Sequence, residues 1–216
     1  MAIHNILLVR TDRIGDVILT TPAISILRRN YPDSRIHFLT RPYTAPLLKY
    51  HEDLNEIIEY TPQTKNHGLA GHTHLAKLLQ SRELDIAFLF HPKPGLAFAL
   101  FRAGIPQRVG TGYRWYSPLL NHRIYEHRKY GKRHELEYNL SLIKPFITDL
   151  PSREEITFNF RKDKNLESLR INALQEMNIE RDYLIIHPGS GGSAPNLPAE
   201  KYAKIIQYLS ENQPHQ

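Results

Sequence analysis

Short apolar runs alternate with stretches of helical periodicity along the first half of the chain. Residues 6–9 (Ile6, Leu7, Leu8, Val9) are apolar without interruption, which predicts a strand buried on both faces. Residues 35–39, 56–59, 86–90 and 108–110 are further strand candidates. Between them, residues 17–30, 44–50, 69–82 and 95–103 carry the spacing of amphipathic helices. Tyr31-Pro32-Asp33 and Gly104-Ile105-Pro106 supply helix stops. Strands that alternate with helices predict a parallel sheet with right-handed crossovers and helices on both faces.

Residues 113–133 break this rhythm. They are rich in Tyr, His and Arg and have no clean period, which predicts a long functional loop or short-helix excursion. Residues 134–146 are helical again, with Leu136, Leu140 and Ile143 toward the core. Asp149-Leu150-Pro151-Ser152 has the composition of a linker and divides the chain into domains 1–150 and 151–216. A strand over 156–160, a helix over 166–177, a strand over 183–187, a glycine-rich turn and a helix over 198–210 follow. These make the start of a second α/β domain, and two strands are marginal as an independent fold.

Composition narrows the picture. The 216 residues contain no cysteine, which excludes disulfides and thiolate chemistry and fits a reducing compartment. No apolar run approaches the ~18 residues of a membrane span, and the first residues lack a signal-peptide pattern, so the expectation is a soluble, cytoplasmic protein. The net charge of +6 is concentrated in residues 102–133, where Arg102, Arg108, Arg114, Arg123, Arg128, Lys129, Lys132 and Arg133 face the single acid Glu126. The remainder is close to neutral. Such a stretch points to an anionic partner or, more plainly, to a solvated basic face. Lipid headgroups and acidic sugars fit. Nucleic acid has charge alone in its favour, because no helix-turn-helix, OB or RNP pattern accompanies it.

Two segments carry candidate chemistry. After the first strand, Thr11-Asp12-Arg13 leads to Gly15-Asp16 at the head of a helical pattern, placing a carboxylate where open α/β sheets build ligand crevices. Asp16 is therefore a candidate acid or base, or else only the cap of the next helix. Gly189-Ser190-Gly191-Gly192-Ser193 joins a strand to a helix and offers N–H groups and hydroxyls to a phosphate, or is an ordinary connection. It matches neither a Walker A loop nor a G-x-G-x-x-G fingerprint. His72 and His74, with His67 nearby, do not share one helix face, which argues against a metal site.

Arg10, Gly15, Asp16, Val17, Pro22 and Ala23 together form Arg-x-x-x-x-Gly-Asp-Val-x-x-x-x-Pro-Ala, which resembles the opening of the lipopolysaccharide heptosyltransferases. The resemblance continues at residues 103–110 (AGIPQRVG) and 187–193 (HPGSGGS), three motifs in order over most of the chain. It implies an α/β fold of GT-B type, one complete Rossmann-like acceptor-binding domain followed by the beginning of a nucleotide-sugar-binding domain. It implies an inverting glycosyltransferase that moves a heptose, from ADP-heptose, to the inner core of lipopolysaccharide without a metal or other cofactor. Asp16 would be the general base. Lys93, Arg114, Arg123, Arg128 and His134 would bind the anionic lipopolysaccharide-precursor acceptor at the inner membrane surface. Ser190, Gly191, Gly192 and Ser193 would bind the donor diphosphate.

The chain departs from the family in two places. Pro195 stands where members carry a cation before the Asn/His-x-Pro of the turn, and no Asp-x-Gly-x-x-His segment follows. These departures leave an alternative, a non-catalytic remnant that binds the glycolipid acceptor without transfer.

Overall fold

The apolar run after Asn5 becomes the centre of a parallel sheet. The computed structural model describes residues 3–61, 69–127, 130–161, 164–180, 182–189 and 196–212. β1 (Asn5–Val9), β2 (Arg35–Thr40), β3 (Glu56–Glu59), β4 (Ile86–Leu89), β5 (Gln107–Thr111) and β6 (His122–Ile124) run in the order β3-β2-β1-β4-β5-β6. Every neighbouring pair is parallel. This is the strand order of doubly wound nucleotide-binding folds, and its direction reverses between β1 and β4.

Side chains on a strand alternate between faces, and the core divides accordingly. Ile6, Leu8, Ile36, Phe38, Ile86 and Phe88 pack with Ile24 and Leu27 of α2 (Pro22–Asn30) and Leu136, Leu140 and Ile143 of α6 (Glu135–Ile143). Leu7, Val9, Leu39, Ala87 and Leu89 pack with Leu75 and Leu79 of α4 (Leu69–Gln80) and Leu96 and Leu100 of α5 (Pro94–Arg102). α1 (Ile14–Ile18) and α3 (Ala45–Leu48) are short and follow β1 and β2.

The expected single helix over 17–30 is two. Pro22 at the start of α2 has no N–H to give to Ile18, so the helix breaks at Leu19–Thr21. Thr20 and Thr21 turn their hydroxyls back to the carbonyls of Asp16 and Ile18, each at 2.8 Å. Asn139, fully buried on α6, donates to Leu19 O at 3.1 Å and approaches Thr20 Oγ1 at 3.2 Å. The break thus docks α6 beside the end of β1.

α5 ends in a Schellman turn. Gly104 N–H donates to Phe101 O and Ile105 N–H to Leu100 O, with Gly104 at φ +76° and Ile105 and Leu100 buried together. A Cβ at this φ costs about 1–2 kcal/mol. Gly104→Val is therefore expected to lower stability by about that amount, as read in a urea titration. An unchanged midpoint would show that the turn relaxes freely.

The excursion over 113–133 is more ordered than its composition suggests. It contains a 3-10 turn, Ser117–Leu119, and the edge strand β6. Three polar-flanked residues are too few for a periodic signal, and pairing with β5 supplies the order that pattern does not.

Two compact units are present, Met1–Arg161 and Lys162–Gln216. Residues 151–161, expected to open the second domain, associate with the first. Arg161 N–H donates to Tyr50 O at 2.8 Å, Asn159 Nδ2 donates to Asp53 at 3.0 Å, and the Phe160 ring meets His51 edge-on. The expected strand over 156–160 is only a single antiparallel bridge, His51 to Phe160. In the second unit, α7 (Lys164–Glu176) and α8 (Ala199–Asn212) form as expected. The strand expected over 183–187 does not form: no described residue of this unit offers a strand to pair with it, and Ile185 is 82% exposed. Among the described residues no helix is long and apolar enough to cross a membrane.

Candidate active site

β1 ends in a buried cation. Arg10 is only 3% exposed and continues directly from the apolar run. A guanidinium there must be paired, and it is. Nε donates to Asp12 Oδ1 at 2.7 Å, Nη2 lies 2.9 Å from Asp16 Oδ1, and Nη1 and Nη2 each reach Glu135 Oε1 at 3.2 Å. Nη1 also donates to Phe90 O at 3.3 Å and to Asn139 Oδ1 at 3.2 Å. One side chain thus joins β1, the α1 turn, the end of β4 and the first turn of α6.

Asp16 is not the cap of α1. The cap position is Arg13, which makes no side-chain cap bond, and Asp16 lies within the first turn. Its side chain remains 32% exposed, and Oδ2 has no partner among the described residues. A carboxylate held by one oxygen and open at the other stands at the sheet's switch point, where such folds take their ligands.

The end of β4 contributes His91 and Lys93. His91 Nδ1 lies 3.0 Å from Thr11 Oγ1. Burial pushes the His91 pKa below the usual imidazole value despite Asp12, and Lys93, Arg10 and Arg41 push the same way. Lys93 is exposed at the start of α5.

Burial also lowers the pKa of His37, against Glu56, and of His51, against Asp53, Thr21 and Glu52. For these bases the unfolded chain takes up protons first as pH falls below about 6.5. Their contribution is therefore present above that pH and lost on acidification. The melting temperature is expected to fall by several degrees between pH 7.5 and 5.5; a flat profile would mean that the three rings stay solvated in the folded protein.

Beside this cluster is a cavity of about 360 Å³ between the ends of β4, β5 and β6 and the helix α6. Phe90, Tyr113, Arg114, Glu126, Tyr138 and Leu142 are among its lining residues. Arg114 is brought to it. Arg123 is exposed on β6, gives its Nε to Leu120 O at 3.0 Å, and is not among the lining residues. His134 caps α6: its Nδ1 accepts from Leu136 N–H at 3.3 Å while its own N–H donates to Glu137 at 2.7 Å. Arg128, Ser190, Gly191, Gly192 and Ser193 lie outside the described residues, as do His67 and Pro195. His72 fills the space over Gly95, a helix-packing role: a Cβ on Gly95 would come within 2.0 Å of its ring.

Residue types and periodicity did not single out Arg10, Glu135, Asn139 or His91 as site residues. One signal was available: a charged residue directly after four buried apolar positions demands partners. Another was a polar Asn between two core-facing residues of a helix.

The sequence profile of glycosyltransferase family 9 (heptosyltransferase) matches residues 72–216. Lipopolysaccharide heptosyltransferase 3 of Escherichia coli K12 is 25% identical over 215 residues, covering 91% of this chain and 57% of that protein. A family 9 glycosyl transferase of Veillonella parvula superposes with a TM-score of 0.81 at 20% identity, over 96% of this chain and 60% of that one. E. coli heptosyltransferase WaaC with ADP-2-deoxy-2-fluoro heptose gives 0.69 at 14% identity, over 96% and 66%. The fold is therefore that of these GT-B structures, and the chain spans about three fifths of the length of the curated relatives it matches.

Proposed function

The chain belongs to glycosyltransferase family 9, and from that premise we propose that it transfers a heptose from ADP-heptose to the inner core of a lipopolysaccharide precursor. The observation that carries this reading is Asp16, fixed by Arg10 through Oδ1 with Oδ2 open at the switch point. A carboxylate so placed takes the proton of an acceptor hydroxyl as that oxygen attacks the anomeric carbon, while the nucleoside diphosphate departs from the opposite side. Inversion at the anomeric carbon follows from a single displacement.

In this reading the first unit holds the acceptor. Lys93 and Arg114 stand near the carboxyl edge of the sheet, and Arg123 and Arg128 add to the basic stretch of the sequence, a charge suited to anionic groups at the inner membrane surface. His134 offers Nε2, its Nδ1 being used as a cap. The second unit holds the donor, with Ser190, Gly191, Gly192 and Ser193 at the diphosphate. Support for the nucleotide sugar comes from WaaC, whose structure contains a fluorinated ADP-heptose.

The test is incubation with ADP-heptose and a lipopolysaccharide precursor lacking heptose, with the glycolipid product read by mass. A gain of one heptose unit is expected. Acceptor binding without product would instead favour the non-catalytic reading.

A further inference from the structure

Two cations at the carboxyl edge of the sheet form no ion pair among the described residues. Arg41 directly follows β2 and Lys93 follows β4 by a few residues, and these strands flank β1 on either side. Arg10, by contrast, is surrounded by Asp12, Asp16 and Glu135. Arg41 is half-buried, and its Nε is shielded from solvent with no hydrogen-bond partner. Buried donors are nearly always satisfied, so this Nε–H marks a place for an acceptor atom.

Strand order sets the two cations on either side of the end of β1. Adjacent strands lie about 4.8 Å apart, so the ends of β2 and β4 are separated by roughly 10 Å across the end of β1. Side chains as long as Arg and Lys span half of that distance each. Both act electrostatically on the same imidazole, His91, and Arg41 acts also on Tyr60 beyond β3. Thr11 Oγ1 lies 3.0 Å from His91 Nδ1; in the tautomer whose Nδ1 accepts from that hydroxyl, Nε2 carries the ring proton and can donate to an anion.

We propose that Arg41, Lys93 and His91 form a clasp for one anionic group, a phosphate or carboxylate, of the acceptor, seated over the end of β1 beside Asp16. Arg41 is the specificity-determining member: its planar fork donates to two oxygens at once, and the nearby acid Asp12, which also acts on His91, is paired with Arg10. The source of the anion as the acceptor rests on the transferase reading above; the existence of the anion site does not.

The test separates the two. Inorganic phosphate is titrated into the whole protein while the His91 ring resonances are followed by NMR. Saturable shifts are expected. Arg41→Gln and Lys93→Gln should each weaken phosphate about tenfold, the usual loss for one charge-assisted contact. Arg41→Lys should keep part of the affinity, and an unchanged melting temperature would show that the fold is intact. Competition then identifies the source. A phosphorylated or carboxylated acceptor sugar should displace phosphate, whereas displacement by ADP alone would assign the anion to the donor and overturn the proposal. Equal phosphate affinity in wild type and Arg41→Gln, or no response of His91, would overturn it as well. If the protein shows no heptose transfer but keeps the phosphate site and its dependence on Arg41, only the transferase reading fails.

Discussion

If the chain transfers heptose as proposed, Asp16→Asn is expected to lower that transfer by about 10²–10⁴-fold at saturating donor and acceptor, the range for loss of a positioned general base. Asparagine is nearly isosteric, and its carbonyl oxygen can still accept from Arg10 Nη2 in place of Oδ1. The crevice therefore keeps its shape, while the side chain can no longer take a proton. The effect should fall on kcat, with the acceptor KM little changed, because the lost interaction forms only as the hydroxyl proton moves. A variant retaining a tenth or more of the wild-type kcat would remove Asp16 from the chemistry and leave it as an acidic residue in the first turn of α1.

Arg10→Ala carries the largest expected cost in stability. The side chain is 4% exposed and answers three carboxylates, the amide oxygen of Asn139 and the carbonyl of Phe90. Removing one member of a buried charged network usually costs 3–5 kcal/mol, because the remaining charges stay buried without compensation. Here Asp16 and Glu135 remain 32% and 29% exposed, so water can reach them. The expectation is the lower end, about 3 kcal/mol, measured by denaturant unfolding of the first unit's signal. Transfer should fall too, since Asp16 loses the contact that aims it. Arg10→Lys should recover part of the stability but not the fork that holds Asp12, Asp16 and Glu135 together. An Arg10→Ala protein as stable as wild type would show that the carboxylates rearrange into solvent at no cost.

These two residues show how legibility was distributed. Asp16 stood out in the chain because the strand ending at Val9 and the turn after it are local features, and the motif around them is specific. Arg10 belongs to the same motif, yet its role depends on Glu135, 125 residues away, and on Asn139, 129 residues away. No local pattern reports such a partnership. His134 is the converse case: a basic residue in a basic stretch, where the fold shows a cap bonded to the backbone of its own helix. Pro22 was visible from the outset, but the periodicity on either side of it masked the break that it imposes.

The sequence by itself determined the buried strands of the first unit, their alternation with helices and hence the parallel sheet, because burial of apolar side chains at periods of 2 and 3.6 is written in consecutive residues. It determined the family as well, through three ordered motifs. Only the tertiary structure decided that β6 closes the sheet edge, that residues 151–161 stay with the first unit, and that one guanidinium ties four elements at the crevice. Those outcomes rest on strand pairing and on charge compensation in a low-dielectric interior. Both depend on which distant residues the completed fold brings within a few ångströms of each other.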